Sequence, residues 1–257
     1  MTPRPLARAR TALAALALSA ACKGTDVLAE LAVTDPAAHA RVIAAAKATP
    51  NTEAVLWKVE KPGLAPSYLF GTAHITDERV TTLTPKVITA LDASKRVVLE
   101  VADLSPGAMA DAMGTSASLL MNAAGSGLQK SLSPEEFERV KATLTKAGIP
   151  AQLAMLARPW LIHMLLSMPD CERNRVGAGL PVLDMRIADE GKKRGLPLLG
   201  LETLESQFKA MASIPEPQQL DMLRVSLKYA DRTQDLMESM ILMYTRRQMG
   251  AAWPLNI

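Results

Sequence analysis

The chain has 257 residues, of which 49% are hydrophobic and 21% charged, and its formal net charge is +3 at pH 7. This length allows one substantial core, or one core with a helical lobe. Arg4, Arg8 and Arg10 account for the whole net charge, so the rest of the chain is near neutral and has no long basic run. Nucleic acid is therefore not predicted as a partner. The sequence predicts no oligomeric state.

Residues 1–21 are predicted to be a secretory signal peptide. They have a basic start, an apolar run from Thr11 to Ala21 and small residues before Cys22. The run is shorter than the roughly 20 residues that cross a bilayer. The stretch LSAAC also resembles a lipobox, so Cys22 is either the acylated residue of a lipoprotein or the first residue after simple cleavage.

Both alternatives predict export, to the periplasm or the outer membrane of a bacterium. Membrane contact is expected only in the lipoprotein alternative, through a lipid anchor at Cys22. If Cys22 is acylated, Cys171 is the only thiol and no intrachain disulfide can form.

The sequence of the first half of the mature chain predicts alternating helices and strands. Asp35 and Pro36 are typical of a helix start, and Pro and Gly residues separate two short strands that predict a hairpin. The run RVVLEV is typical of a strand buried in a parallel sheet. The predicted elements are a helix over 35–50, strands over 54–59 and 67–70, a helix over 84–93 and a strand over 96–101.

The middle of the chain predicts helices. Ser133, Pro134 and Glu136 form a capping box, and Pro159 is expected to bend or divide a second apolar helix. The stretch LLGL near Gly195 then predicts a buried strand, followed by amphipathic segments over 216–229 and 231–248. The predicted fold class is α/β: a central mixed, largely parallel sheet flanked by helices. The domain spans 22–257, with a helical insertion over about 104–180.

Three short apolar runs end in side chains that are suited to chemistry. YLFGTAH ends in His74, RVVLE in Glu100 and LLGLE in Glu202. Ligands of open α/β sheets bind outside the carboxyl ends of the strands, so we expect these three side chains to meet there. Gly71 is expected to allow a tight turn or a close ligand approach.

An imidazole and two carboxylates suit zinc, manganese or cobalt. Such a metal lowers the pKa of a bound water, and a carboxylate outside the metal shell can be a general base. Without metal, His74 itself is the expected base, oriented by Glu100.

Structural roles remain open for each of these residues. Glu202 precedes a predicted helix cap, where its charge favours the positive end of the helix dipole. Glu100 is equally consistent with an acid on a solvated loop, and His74 with a histidine that makes a structural hydrogen bond. Asp184 is predicted to be structural or to orient a catalytic residue. The other two histidines are weaker candidates: His163 is predicted to pack in a core and His39 to be solvated.

These motifs resemble the TraB/GumN family, which includes the Tiki proteases. The resemblance rests on LWKVEKPGLAPSYLFGTAHI, RVVLEV and LDMRIADEGKKRGLPLLGLETLESQ, in that order, from Val55 to the C-terminus. It implies a fold akin to erythromycin-esterase-like proteins and, in the Tiki branch, a metal-dependent peptidase. By that likeness His74 and Glu100 match metal or catalytic positions, and Glu202 matches a further motif acid.

One departure from the family pattern is that its second GxxH motif is missing before Ile257. The expected function is an exported metal-dependent hydrolase of a peptide or a small ester. The alternatives are a non-catalytic envelope protein that binds a ligand in the same crevice, an inactive fragment of a family enzyme, and a haem- or iron-binding lipoprotein with His74 as axial ligand.

Overall fold

The computed structural model describes residues 23–122 and 127–255. The predicted signal segment and Cys22 lie outside the described residues. Within the described ranges, no helix has the length and apolar character needed to cross a membrane.

In the first described range, helices alternate with short strands. The elements are α1 (Val27–Thr34), α2 (Pro36–Ala48), β1 (Leu56–Val59), β2 (Ser67–Phe70), α3 (Glu78–Thr81), α4 (Pro85–Asp92), β3 (Val97–Val101), α5 (Pro106–Thr115) and α6 (Ala117–Leu120).

The second range is helical except for one strand and three-residue 3₁₀ turns. Its helices and strand are α7 (Pro134–Lys146), α8 (Leu153–Leu156), α9 (Pro159–Ser167), α10 (Asp170–Gly177), α11 (Leu183–Lys193), β4 (Leu198–Glu202), α12 (Leu204–Ser213), α13 (Glu216–Lys228) and α14 (Thr233–Thr245).

The chain forms two compact units. Of the described residues, unit 1 contains 23–95, 170–190 and 234–255, and unit 2 contains 96–122, 127–169 and 191–233. Each unit is therefore assembled from segments that are distant in the sequence.

Unit 1 contains the hairpin and a small apolar core. Asp35 caps α2 by accepting a hydrogen bond from the backbone N–H of Ala38, as the sequence predicted. Strands β1 and β2 pair antiparallel, with Leu56 opposite Phe70, and the turn between them contains Gly63 at a φ of 78°. Buried apolar residues join α1, α2, α14 and the turn after α14: Leu28, Val42, Met243, Ala251 and Ala252.

Unit 2 is mainly helical around one larger core. The capping box of Ser133 and Glu136 begins α7 as predicted, and Pro159 divides the next helical stretch into α8 and α9. Fully or almost fully buried side chains from several helices form the core, among them Val140, Leu144, Trp160, Ile162 and Leu223.

The α/β class is confirmed in its coarse form, but a large central sheet is not shown. The described residues form two separate two-stranded sheets, β1 with β2 and β3 with β4. The pair β3–β4 is parallel, as predicted, with Leu99 opposite Gly200.

The prediction that β3 and β4 are buried strands is wrong for one face of the pair. Val97 and Leu99 are buried, whereas Val98, Leu199 and Leu201 are exposed. Side chains alternate between faces along a strand, and nothing in the described structure covers the face of Leu201. An apolar run alone predicts a strand and not what lies on each side of it.

Candidate functional site

The segment after β2 carries the predicted histidine. The backbone N–H of Gly71 donates to the carbonyl of Val55 at 2.7 Å, which extends the hairpin pairing by one bond. A Cβ atom added at Gly71 would lie 3.7 Å from that carbonyl oxygen, an ordinary contact, and the glycine lies outside the left-handed region. The described residues thus give no steric reason for glycine here, contrary to the expectation of a tight turn.

His74 is held by a buried carboxylate from α11. Its Nδ1 lies 2.8 Å from Oδ2 of Asp184, and the side chain of the histidine is 59% exposed while that of the aspartate is 7% exposed. A carboxylate on one ring nitrogen fixes the tautomer and orientation of an imidazole, so that the other nitrogen carries the chemistry. The imidazole of His74 is therefore accessible to solvent, as a base or a metal ligand must be, and the buried carboxylate of Asp184 fixes its orientation.

Asp184 is kept ionised by the same contacts. The hydroxyl of Thr72 donates to Oδ1 at 2.8 Å, so each carboxylate oxygen faces a separate polar partner. Burial raises the pKa of the Asp184 carboxyl, but the hydrogen bonds from His74 and Thr72 and the charge of His74 lower it by more. The net pKa lies below the ordinary value, and Asp184 is an anion at neutral pH.

Tyr244 of α14 fixes the same segment from another side. Its hydroxyl donates to the carbonyl of Gly71 at 2.8 Å. Burial raises the pKa of Tyr244 to about 12, the charge of Arg247 lowers it, and the charge of Asp184 raises it. The phenol is therefore a neutral donor at neutral pH that senses both charges.

A buried ionic network follows directly after His74. Oε1 of Glu172 accepts from the backbone N–H of Thr76 at 2.7 Å, and Oε2 accepts from the Thr76 hydroxyl at 2.9 Å. Arg175, one turn along α10, donates to Asp77 at 3.2 Å. These residues are each 3–5% exposed, so the contacts are desolvated and anchor the chain just beyond the histidine.

Arg79 completes this network with two carboxylates. It donates to Asp77, and its two terminal nitrogens donate to the two oxygens of Glu238 at 2.7 Å each. Burial raises the pKa of Asp77, but Arg79 and Arg175 lower it to about 2. The bidentate geometry is the strong form of an arginine–carboxylate pair.

The family assignment is decided by comparison with known proteins. The family model described as TraB/PrgY/gumN matches residues 55–256. The chain belongs to the TraB/PrgY/gumN family. No curated protein and no solved structure matches the chain. The resemblance drawn from the GTAH, RVVLEV and GLETLESQ motifs is confirmed, and the matched range includes every described residue of the His74 site.

The two predicted acids of this TraB/PrgY/gumN chain lie in unit 2, whereas His74 lies in unit 1. Glu202 ends β4 opposite Val101, and Glu100 precedes Val101 on β3. Because side chains alternate along a strand, the two acids lie on opposite faces of the pair, and both are exposed. Their convergence with His74 stays a prediction.

The metal donors also stay a prediction. Within residues 23–122 and 127–255, no group of three or more His, Cys, Asp and Glu side chains is placed to hold an ion. In unit 1, the pair of His74 and Asp184 offers one metal ligand, the imidazole, together with the carboxylate that supports it.

The remaining predicted residues have structural surroundings. His163 is half-buried, its Nδ1 lies 2.6 Å from the Ser226 hydroxyl, and burial lowers its pKa, as expected for a packed histidine. His39 is half-buried on α2, so the expectation that it is solvated is only partly met. Cys171 is disulfide-bonded and not a free thiol. Cys22, the other cysteine of the chain, lies outside the described residues.

Most contacts that hold His74 and the segment after it were not predicted from the sequence. Asp184 was predicted to be structural or to orient a catalytic residue, and the structure places its carboxylate 2.8 Å from Nδ1 of His74. Thr72 lies within the GTAH motif, so its polar side chain was a usable signal. Tyr244, Glu172 and Glu238 carry no local signal, because their contacts join helices that are distant in the sequence.

Proposed function

We propose that this family member is a hydrolase of peptide or small ester bonds in which His74 is the general base and Asp184 orients it. The single observation that carries the proposal is the 2.8 Å contact between Nδ1 of an exposed imidazole and a buried carboxylate. Catalytic histidines are commonly oriented in this way, whereas a structural histidine has no need of an accessible ring.

The proposed chemistry uses the second ring nitrogen. Nε2 of His74 takes a proton from a water whose oxygen attacks the carbonyl carbon of the substrate. The carbon–nitrogen or carbon–oxygen bond then breaks, and the imidazolium returns the proton to the leaving amine or alkoxide. Asp184 stays ionised throughout and stabilises the imidazolium, which its lowered pKa supports.

A divalent metal is the second version of the same proposal. Mn, Co or Zn bound by His74 and Glu100 would polarise the carbonyl and activate the water. The donor set described in unit 1 does not by itself supply three ligands, so no step above is assigned to the metal. Metal content of the wild type, His74→Ala and Glu100→Gln tests this version, which predicts loss of bound metal in both variants. Equal content in all three proteins contradicts it.

Hydrolysis is tested with a panel of fluorogenic peptides and nitrophenyl esters, with and without added Mn, Co and Zn. The variants are His74→Ala, Asp184→Asn and, as a matched control, His39→Ala on α2. The proposal predicts hydrolysis by the wild type and the control, a rate lowered by about 100- to 10,000-fold in His74→Ala and a smaller loss in Asp184→Asn. A wild type that hydrolyses nothing in the panel, or a fully active His74→Ala, contradicts it.

A non-catalytic binding function is the second candidate, and one observation favours it. One face of β3–β4 carries three exposed apolar side chains, Val98, Leu199 and Leu201, beside Glu100, and exposed apolar patches commonly mark interaction sites. The non-catalytic candidate predicts that the wild type hydrolyses no compound of the panel. It also predicts that polar substitutions on this face abolish binding of the ligand or partner protein.

Export is part of the proposal and rests on the sequence of residues 1–22 alone. Fractionation of expressing cells tests it. A periplasmic or membrane-anchored mature chain supports export, and an unprocessed chain in the cytoplasm contradicts it.

A further inference from the structure

A cleft in unit 1 lies between the hairpin, the connection from α3 to α4 and the end of α14. Its cavity volume is about 130 Å³, below the roughly 300–1,000 Å³ of sites that enclose drug-sized ligands, so it suits one end of a small molecule. The residues that matter for its chemistry are Arg79, Val80, Thr82, Thr84, Val87 and Arg247.

The two arginines of the cleft differ in their charge balance. Arg79 is neutralised by Asp77 and by the bidentate contact with Glu238. Arg247 is half-buried and makes no ion pair with any described residue. The guanidinium of Arg247 is partly withdrawn from water and has no anionic partner in the described part of the chain, so an anionic ligand could form an ion pair with it.

Arg247 is also held in an unusual backbone conformation. Its φ is 61°, in the left-handed region, at the position after α14 where glycine is usual. A cation near a helix C-terminus is favourable, but Arg246 is also at that end and pairs with Asp26 at 2.7 Å. The helix dipole therefore does not require arginine at position 247.

The other walls of the cleft suit a short apolar group with a polar end. Val80 and Val87 are almost fully buried. Thr82 and Thr84 add hydroxyl groups, and the side chain of Thr84 makes no capping hydrogen bond to α4 although it occupies the N-cap position. The cleft thus combines an unpaired cation, hydroxyl donors and an apolar wall.

We propose that this cleft binds the free carboxylate of a small acyl compound, such as the C-terminal residue of a peptide, with Arg247 as the anion-binding residue. The carboxylate of the ligand pairs with the guanidinium of Arg247 and accepts hydrogen bonds from the hydroxyls of Thr82 and Thr84. The apolar side chain of the ligand lies against Val80 and Val87.

Tyr244 connects this cleft with the His74 site. It lines the cleft, its hydroxyl holds the Gly71 carbonyl, and its titration is affected by both Arg247 and Asp184. A ligand on Arg247 would therefore lie one side chain away from the segment that carries His74. That the ligand is the substrate or product of hydrolysis rests on the proposed function, but binding itself does not.

The test measures binding of N-acetyl-leucine and of its uncharged amide by calorimetry. The proteins are the wild type, Arg247→Gln, Arg247→Gly and the control Arg41→Gln, which removes an exposed arginine of α2 in the same unit. We expect the wild type and the control to bind the acid roughly 10- to 100-fold more tightly than the amide. Both Arg247 variants are expected to lose that difference.

Arg247→Gly separates loss of binding from loss of folding. Glycine suits the left-handed position better, so its thermal midpoint should equal or exceed that of the wild type while acid binding is lost. Equal affinity for acid and amide, no binding of either, or wild-type binding by Arg247→Gln each overturns the proposal. Because no hydrolysis is measured, its failure is distinguishable from failure of the proposed function.

Discussion

Nδ1 of His74 lies 2.8 Å from Oδ2 of Asp184, although the two residues come from the segment after β2 and from α11. The carboxylate is buried, and its other oxygen accepts a hydrogen bond from the Thr72 hydroxyl. The exposed imidazole is thus held in one orientation by a group that water does not reach, which is the arrangement expected of a base that must be accessible and fixed.

Thr72→Val should raise the pKa of the Asp184 carboxyl. The variant keeps the shape of the side chain and removes one of the hydrogen bonds that lower this pKa against the effect of burial. The pKa is measured by carbon-13 NMR titration of labelled aspartate. Thr52→Val, in the loop before β1, is the matched control and should leave the Asp184 titration unchanged. An unchanged pKa in Thr72→Val would show that the hydroxyl does not stabilise the anion.

Removing a carboxylate from the buried network should destabilise unit 1 strongly. Glu172→Ala leaves two donors of Thr76 unsatisfied and removes an anion 3.9 Å from Arg175. The expected loss in the free energy of unfolding is about 3–5 kcal/mol, typical of breaking a buried pair. Glu53→Ala, at an exposed site before β1, should change it by less than about 0.5 kcal/mol. Chemical unfolding measures both, and equal effects would contradict the role of the network.

Acid should weaken the fold through Asp77. The folded-state pKa of this residue is about 2, below the roughly 3.9 of an unfolded aspartate. Its contribution to stability is therefore fully present above about pH 4 and is lost as the pH falls toward 2. Asp77→Asn is expected to be less stable at neutral pH and to have a flatter stability profile between about pH 4 and 2. Urea unfolding across this range checks the slope, and an unchanged slope would mean that other acids cause the loss.

The two faces of β3–β4 should respond differently to substitution. Leu99 is 8% exposed and Leu201 is 75% exposed. Leu99→Ala is expected to cost about 2–5 kcal/mol, whereas Leu201→Lys should change stability by less than about 0.5 kcal/mol. Both are measured by chemical unfolding. A large loss from Leu201→Lys would show that the face is covered in solution, as the predicted larger sheet requires.

The sequence predicted those features that depend on neighbouring residues. The capping box of Ser133 and Glu136, the division at Pro159 and the hairpin around Gly63 follow from local backbone chemistry, and the structure has all three. The family also followed from the sequence, because the GTAH and GLETLESQ stretches are short and ordered.

Features set by tertiary contacts were not predicted. The apolar character of Leu199 and Leu201 indicates a strand equally well whether its second face is covered or exposed. The pairing of His74 with Asp184 depends on how α11 packs in unit 1. The network of Glu172, Arg175 and Asp77 joins two segments whose sequences show only ordinary surface-like charges.

The most direct test of the central claim is a double-mutant cycle on kcat/KM for a substrate found in the hydrolysis panel. It compares His74→Ala, Asp184→Asn and the double variant with the wild type. If Asp184 acts through His74, Asp184→Asn alone lowers kcat/KM by roughly 10- to 100-fold, and adding it to His74→Ala causes no further loss. Effects that multiply in the double variant would contradict the account, as would a wild-type rate in Asp184→Asn.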